Sequence, residues 1–508
     1  MSARTGTAAG APASPPAEDA EARAAAGTAD APPAAAEATA TVSSAPTGGP
    51  SHAIEAELTW TGEAFEPGVR VEVGADGRIA AVGRAGAGAP DGSDAPSTLR
   101  LPGRALLPGF VDAHSHAFQR GLRGVAETFP PAAAGGGSGG GSFWSWREAM
   151  YALAGGLDRD RFRALSLAAF EEMRAAGITA VGEFHYLHHA DPEAADWALD
   201  RVVLDAAREA GIRIVLLQAC YRAGGFGRKL EQAQRRFRAP SLAAYWAQMD
   251  RLADAIDPAN QSLGAVAHSV RAVPIGEIAA LHAEARRRGL VFHLHVEEQR
   301  REVEDCLAVH GERPMALLLR ELEIGPETTA VHCTHSDPGD LERFAAAGGG
   351  VCVCPLTEAN LGDGIPPLAA VPAAAGRLCL GTDSNARISM LEEMRWLEYG
   401  QRLASERRGV LADRRGRVAG RLLTAATAGG ARALGLAAGV IAAGRWADFA
   451  AVDLGHPALA GAGAGDLAAA LVFGAGDATI AATCVGGRWR EHRGAAAEPR
   501  RSPVSAAP

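Results

Sequence analysis

Lysine is almost missing from this chain: Lys229 is the only one, and the rest of the 50 basic residues are arginine. Aromatic residues make up only 5%, and much of the apolar share is alanine, which packs little surface per residue. There is no excess of positive charge. Fifty basic residues stand against 59 acidic ones, a formal net charge of −9, which excludes a protein whose main partner is nucleic acid or an anionic membrane. The seven cysteines (Cys220, Cys306, Cys333, Cys352, Cys354, Cys379 and Cys484) are odd in number, contain no CxxC and sit mostly in apolar runs. That argues against a disulfide scaffold and for reduced, buried thiols in a cytoplasmic protein. No continuous apolar stretch is long enough to span a bilayer, and no basic segment followed by an apolar one marks a signal peptide. No GxGxxG follows the first strand of the central region, so a doubly wound dinucleotide-binding sheet has no support.

What is present is a 508-residue chain, 47% apolar, long enough for a barrel-sized core with an additional small domain. Residues 1–51 are Ala, Pro, Thr, Gly and Ser with few large side chains, and are expected to be a disordered extension; residues 491–508 read as a disordered tail. Between them, 52–107 alternates as short strands, with a hairpin expected across Asp76-Gly77. A matching β-rich piece covers 437–490, which suggests one composite β-sandwich domain built from both ends of the chain. Residues 108–436 alternate strand-like runs with amphipathic helices, one of them from Asp158 to Ala176 and stopped by Gly177. Eight apolar runs occur: Leu106–Ala113, Ile178–Phe184, Ile212–Ala219, Leu263–Ala267, Leu290–Val296, Thr329–Cys333, Gly350–Cys354 and Leu378–Gly381. Eight strand–helix repeats are the arithmetic of a (β/α)8 TIM barrel, an α/β fold. The tract Gly135–Ser142, all glycine and serine, is a flexible insertion expected over one face of that barrel.

In such a barrel, chemistry gathers where strands end. Of 15 histidines, His114, His116, His185, His268, His293, His295, His332 and His335 all fall at these ends. His114 and His116 are two apart on one strand, so both imidazoles project to the same face and suit one metal ion. His295 and Asp383 are offered by other strand ends. Three imidazoles and one carboxylate leave a position for water, as hydrolytic zinc sites require.

The runs Pro108-Gly-Phe-Val-Asp-Ala-His-Ser-His116, Val331-His332 and Gly381-Thr-Asp383 resemble the amidohydrolase superfamily, in its mononuclear deaminase branch. Binuclear members bridge two metals through a modified strand lysine; Lys229 lies in the charged run Arg228–Arg236, outside any strand, which leaves that arrangement out. The resemblance implies that Glu298, three residues after His295, moves protons between water and the leaving nitrogen, and that His332 stabilises the reacting centre. Glu297 is read as a solvated loop carboxylate, and His293 and His335 as structural. The runs His116–Gly124, Phe143–Tyr151, Glu183–His189, His268–Val273, Thr357–Gly364 and Arg395–Arg402 further resemble formimidoylglutamate deiminases of histidine degradation, over roughly 53–490. That implies hydrolysis of N-formimidoyl-L-glutamate to N-formyl-L-glutamate and ammonia in a cytoplasmic homodimer. It also implies a substrate shell of Gln119, Arg147, Tyr186, His268 and Arg271. Two arginines suit a dicarboxylate, because a guanidinium grips a carboxylate bidentately. Zinc is the favoured ion, with iron and manganese also able to occupy such a site. The alternative is another mononuclear amidohydrolase acting on a ring such as guanine. A barrel kept only as a binding module would be expected to have lost metal ligands. Ser384-Asn385 departs from the Ser-His expected of relatives after Asp383, which puts one contact behind the metal aspartate in question.

Overall fold

Alternation in the chain ends becomes strand pairing. In the computed structural model, which describes residues 50–86, 97–125, 127, 141–371 and 377–492, five strands precede the central region: β1 (Pro50–Trp60), β2 (Phe65–Glu66), β3 (Val69–Gly74), β4 (Ile79–Arg84) and β5 (Ser97–Pro108). The expected hairpin is β3–β4, antiparallel with Val71 opposite Val82. The extension predicted over 1–51 and the tail predicted over 491–508 are each too long at the inner end, since Pro50 and Ser51 open β1 and Glu491 ends the last strand; residues 1–49, 135–140 and 493–508 lie outside the described residues.

Eight parallel strands follow: β6 (Phe110–Ser115), β7 (Ile178–His185), β8 (Arg213–Cys220), β9 (Gln261–Ser269), β10 (Phe292–Val296), β11 (Thr328–His332), β12 (Gly350–Val353) and β13 (Leu378–Leu380). Each pairs with the next, in sequence order. The ring closes just beyond β13, where the Asp383 amide donates to the His114 carbonyl (2.9 Å) and the His116 amide to the Asp383 carbonyl (2.8 Å). This is the expected (β/α)8 barrel. Helices pack outside it with apolar faces inward; Arg159–Ala175 buries Phe162, Ala169, Phe170 and Met173, and its cap Asp158 accepts from the Arg161 amide at 2.8 Å.

The first apolar run divides where the sequence suggested one strand. Leu106 and Leu107 belong to β5, whereas Phe110 opens the barrel by donating to the Gly177 carbonyl. Gly109 marks the break, since a Cβ there would lie 2.1 Å from Thr179 Oγ1. Hydrophobicity is continuous across this point because both sheets bury it, so the pattern carries no boundary.

Three strands complete the end sheet: β14 (Phe449–Asp453), β15 (Ile480–Val485) and β16 (Arg488–Glu491). The order is β16-β15-β14-β5-β1-β3-β4, with β2 paired to β1, so the two ends of the chain meet at the antiparallel β5–β14 ladder. Ile54, Val71, Val73, Ile79, Leu106, Phe449 and Cys484 form a separate apolar core there. A buried ion pair ties β8 to the residues just before β14: Arg213 Nε and Nη2 lie 2.8 and 3.1 Å from the two Asp448 oxygens, and the guanidinium covers Trp446. Removing one member strands the other charge in a dry environment. Asp448→Ala is therefore expected to lower the unfolding free energy in urea by about 3–5 kcal/mol. A change below 1 kcal/mol would mean that this pair does not hold the barrel to the end sheet.

Candidate active site

The carboxyl ends of the barrel strands converge on one cluster. Donor atoms of His114, His295, His332 and Asp383 all lie within 4.8 Å of one another. His114 Nε2 is 3.2 Å from His295 Nε2 and 3.4 Å from Asp383 Oδ1, and His116 Nε2 is 3.3 Å from that same oxygen. Bonds of about 2.0–2.1 Å in a tetrahedral site place neighbouring ligand atoms roughly 3.3–3.4 Å apart. His114–His295, His114–Asp383 and His116–Asp383 stand near that spacing, but the four donors that all lie close to one another include His332 in the place expected of His116. His332, expected to work beside the metal, is thus itself a member of the donor group, with Nε2 3.8 Å from Asp383 Oδ2.

The far ring nitrogens explain how these imidazoles are aimed. His116 Nδ1 bonds the Phe184 carbonyl at 2.7 Å and His295 Nδ1 the His268 carbonyl at 2.9 Å, which turns both Nε2 atoms inward. Burial lowers the pKa of His114, His116 (to about 3) and His295, keeping them in the neutral form a metal requires. His332 behaves oppositely: burial opposes its charge, but Glu298, Glu358 and Asp383 raise it to about 10. Its Nδ1 lies 3.3 Å from Glu358 Oε1, a carboxylate that also accepts from the Cys354 amide. Burial works against ionisation of Asp383 too, and the surrounding histidines hold it below the usual carboxylate range.

The seam beside Asp383 is a polar lock. Asp112 accepts from the Thr382 amide (3.0 Å) and hydroxyl (2.6 Å) across the β6–β13 closure. Asn385 fills the position in question: its Nδ2 donates to Ser115 Oγ at 3.1 Å, and its Oδ1 lies 2.8 Å from Thr382 Oγ1, whose one proton goes to the closer Asp112. Glu183, its pKa pushed up by burial to about 8, accepts from the Ala117 amide just after the His114–His116 pair. Gly381 is required for close approach, because a Cβ there would lie 2.7 Å from His114 Cβ. Five of the seven non-glycine residues with positive φ among the described residues are Glu297, His332, Cys333, Asp383 and Asn385, all at strand ends. Each such conformation costs roughly 1–3 kcal/mol, and here the packed cluster over-determines it.

A cavity opens on this cluster. Its walls include Gln119, Arg147, Tyr186, His268, Arg271, Glu298 and His332, so the expected substrate shell and both proposed proton-handling groups share one space. Gln119 Nε2 donates to Tyr186 Oη at 2.6 Å. Arg147 donates through Nε to Tyr151 Oη at 2.6 Å and has no carboxylate partner among the described residues. Burial raises the pKa of Glu298, opposed by His332 and Arg271. Its Oε1 stands 4.0 Å from His332 Nε2.

Two readings from sequence are corrected or extended. Glu297 is not solvated: it is fully buried, with Oε1 accepting from the Met315 amide at 3.3 Å and facing Arg313. Nothing local distinguishes it from Glu298; the positive φ at Glu297 (+53°) is what sends the two side chains apart. The Glu183–His189 run carries a second group. His185 Nε2 and His188 Nδ1 each meet Asp200 Oδ1 at 3.0 Å, and Oδ2 accepts from Gln218 and Gln248. This buried, hydrogen-bonded lock fixes the segment that carries Tyr186. His293 bonds the Ala433 carbonyl at 2.8 Å, consistent with a structural role. Tyr151, Tyr221 and Glu358 were missed as site residues, although Tyr151 and Glu358 lie inside motifs that point to the site. Tyr221 follows β8, which has no charged strand-end signal.

Comparison with known proteins follows the same line. The model of the amidohydrolase family matches residues 105–490. A formimidoylglutamate deiminase of Pseudomonas aeruginosa is 40% identical over 390 residues, covering 75% of this chain and 83% of that protein. The crystal structure of an amidohydrolase from Brucella melitensis superposes with a TM-score of 0.73 at 31% identity, over 87% of this chain and 96% of the other. An adenosine deaminase from Xanthomonas campestris with bound zinc shares the fold at a TM-score of 0.71 and 24% identity, over 87% and 93% of the two chains. With its closed barrel, converging histidines and aspartate, and these relatives, the chain is a hydrolase of carbon–nitrogen bonds that belongs to the amidohydrolase family.

Proposed function

We propose that this enzyme hydrolyses N-formimidoyl-L-glutamate to N-formyl-L-glutamate and ammonia, as a cytoplasmic homodimer with one divalent ion per chain. In this reading the ion is zinc, held by His114, His116, His295 and Asp383. The observation that carries it is a single cavity lined by three of those donors, His116, His295 and Asp383, by Glu298 and by two guanidiniums, Arg147 and Arg271. A linear dicarboxylate with an amidine carbon needs this combination, whereas a purine has little use for two arginines. The 40% identical relative named formimidoylglutamate deiminase supports the same substrate.

A divalent ion in such a donor set makes a nucleophile of water at neutral pH. The side chains do the rest. Glu298, its carboxyl pKa raised by burial, takes a proton from the attacking water and delivers it to the departing nitrogen. Water first adds across the C=N bond; the remaining oxygen proton then passes to nitrogen through the same carboxylate as the C–N bond breaks and the C=O bond forms, so ammonia leaves and the formyl group remains. His332, held cationic by Glu298, Glu358 and Asp383, stabilises negative charge developing on the attacking oxygen. Arg147 and Arg271 bind the carboxylates, and Gln119, Tyr186 and His268 complete the shell around the substrate.

Protein purified without chelator is expected to contain about one divalent ion per chain by plasma emission. Asp383→Ala should lose that ion, while Glu298→Gln keeps it and loses about 10²–10⁴-fold in kcat. Retained metal in the aspartate variant would place the ion elsewhere. Ammonia release should be seen with N-formimidoyl-L-glutamate and not with guanine or adenosine analogues; turnover of the ring compounds alone would overturn the proposal.

A further inference from the structure

Arg271 is drawn toward two acids. Its Nε lies 3.2 Å from Glu302 Oε2, and its Nη2 lies 3.5 Å from Glu298 Oε2; the Glu302 contact is an ion pair without hydrogen-bond geometry, since neither Nε nor either Glu302 oxygen has a hydrogen-bond partner. Glu302 sits in the first turn of the helix Arg300–His310, its side chain has no exposed surface, and it is absent from the cavity wall. It therefore cannot touch a ligand in that cavity. Arg271 is its only ion-pair partner among the described residues. Burying a carboxylate costs several kcal/mol unless a partner compensates, so a buried glutamate behind a binding arginine needs a reason beyond packing.

The geometry of a guanidinium supplies one. It has two edges that can grip a carboxylate, and an acid at Nε leaves the edge formed by the two terminal nitrogens free. Both contacts are longer than the 2.7–2.9 Å of a close charged hydrogen bond, and the one to Glu302 is the shorter. Without Glu302, the only acid left beside Arg271 is Glu298. A close Arg271–Glu298 pair would take the binding cation and the proton carrier out of action together.

We propose that Glu302 is a positioning residue whose buried charge attracts Arg271 on its Nε side, holding it off Glu298 and presenting its terminal edge to a ligand carboxylate. This rests on the dicarboxylate reading of the site. The test is a double-mutant cycle of Glu302→Gln and Arg271→Met, read as kcat/KM for N-formimidoyl-L-glutamate and as glutarate affinity by calorimetry. Glu302→Gln is expected to lower both by at least tenfold, and to have no further effect beyond twofold once Arg271 is methionine, because a residue acting through another has nothing left to act on. Glu302→Asp, which keeps the charge, should recover part of the loss. If the glutamine variant does not fold by circular dichroism, the cycle is run with Glu302→Asp, for which at least a threefold loss that vanishes beside Arg271→Met is expected. Constants unchanged by either Glu302 variant, or losses that multiply in the Arg271→Met background, would reduce Glu302 to a structural residue. Wild-type protein that binds glutarate but releases no ammonia would sink the deiminase reading alone; active wild-type protein with an additive cycle would sink this inference alone.

Discussion

The site depends on the seam that turns an open row of eight strands into a ring. Two backbone hydrogen bonds, from Asp383 to the His114 carbonyl and from His116 to the Asp383 carbonyl, join the first strand to the last. The same residues carry three of the four side chains proposed to hold the metal. Closure of the fold and assembly of the cluster are thus one event. The seam leaves no room for substitution: Asp112, Thr382, Asn385 and Ser115 occupy their hydrogen bonds with each other, and Gly381 lies against His114 because nothing larger fits.

Electrostatics follow from that closure. Histidines 114, 116 and 295 are buried beside one another, so each is held neutral, and neutral imidazole is the form that binds a metal. His332 lies only slightly farther away but faces three carboxylates, and it is held charged. Two chemically identical side chains thereby take opposite roles through their neighbours alone. The cavity continues this pattern, with Arg147 lacking an acidic partner among the described residues and Arg271 shared between two.

Much of this was legible in the sequence because strand ends in a barrel are punctuated by polar residues after apolar runs. His114-Ser-His116, His295, His332 and Asp383 each interrupt such a run, and period-two geometry alone placed the first pair on one face. The hairpin at Asp76-Gly77 and the helix stop at Gly177 were visible for the same local reason. The misreadings are non-local. The boundary at Gly109 is hidden because both sheets want apolar residues there. The burial of Glu297 depends on a left-handed turn and on the start of a helix at Pro314, neither of which its neighbours announce. Glu302 resembles any acidic residue in a helix's first turn until the fold brings Arg271 against it.

The end sheet has a consequence for how the chain is made. β5 pairs through one edge with β1, which precedes it, and through the other with β14, which is synthesised after the whole barrel. While the ribosome is still completing the barrel, that second edge carries unpaired amides and carbonyls beside the apolar Ala105, Leu106 and Leu107, the kind of surface that recruits another chain. The nascent protein must therefore keep this strand from premature pairing until Phe449–Asp453 emerges, which makes translation speed and chaperone access over the last portion of the message determinants of its yield.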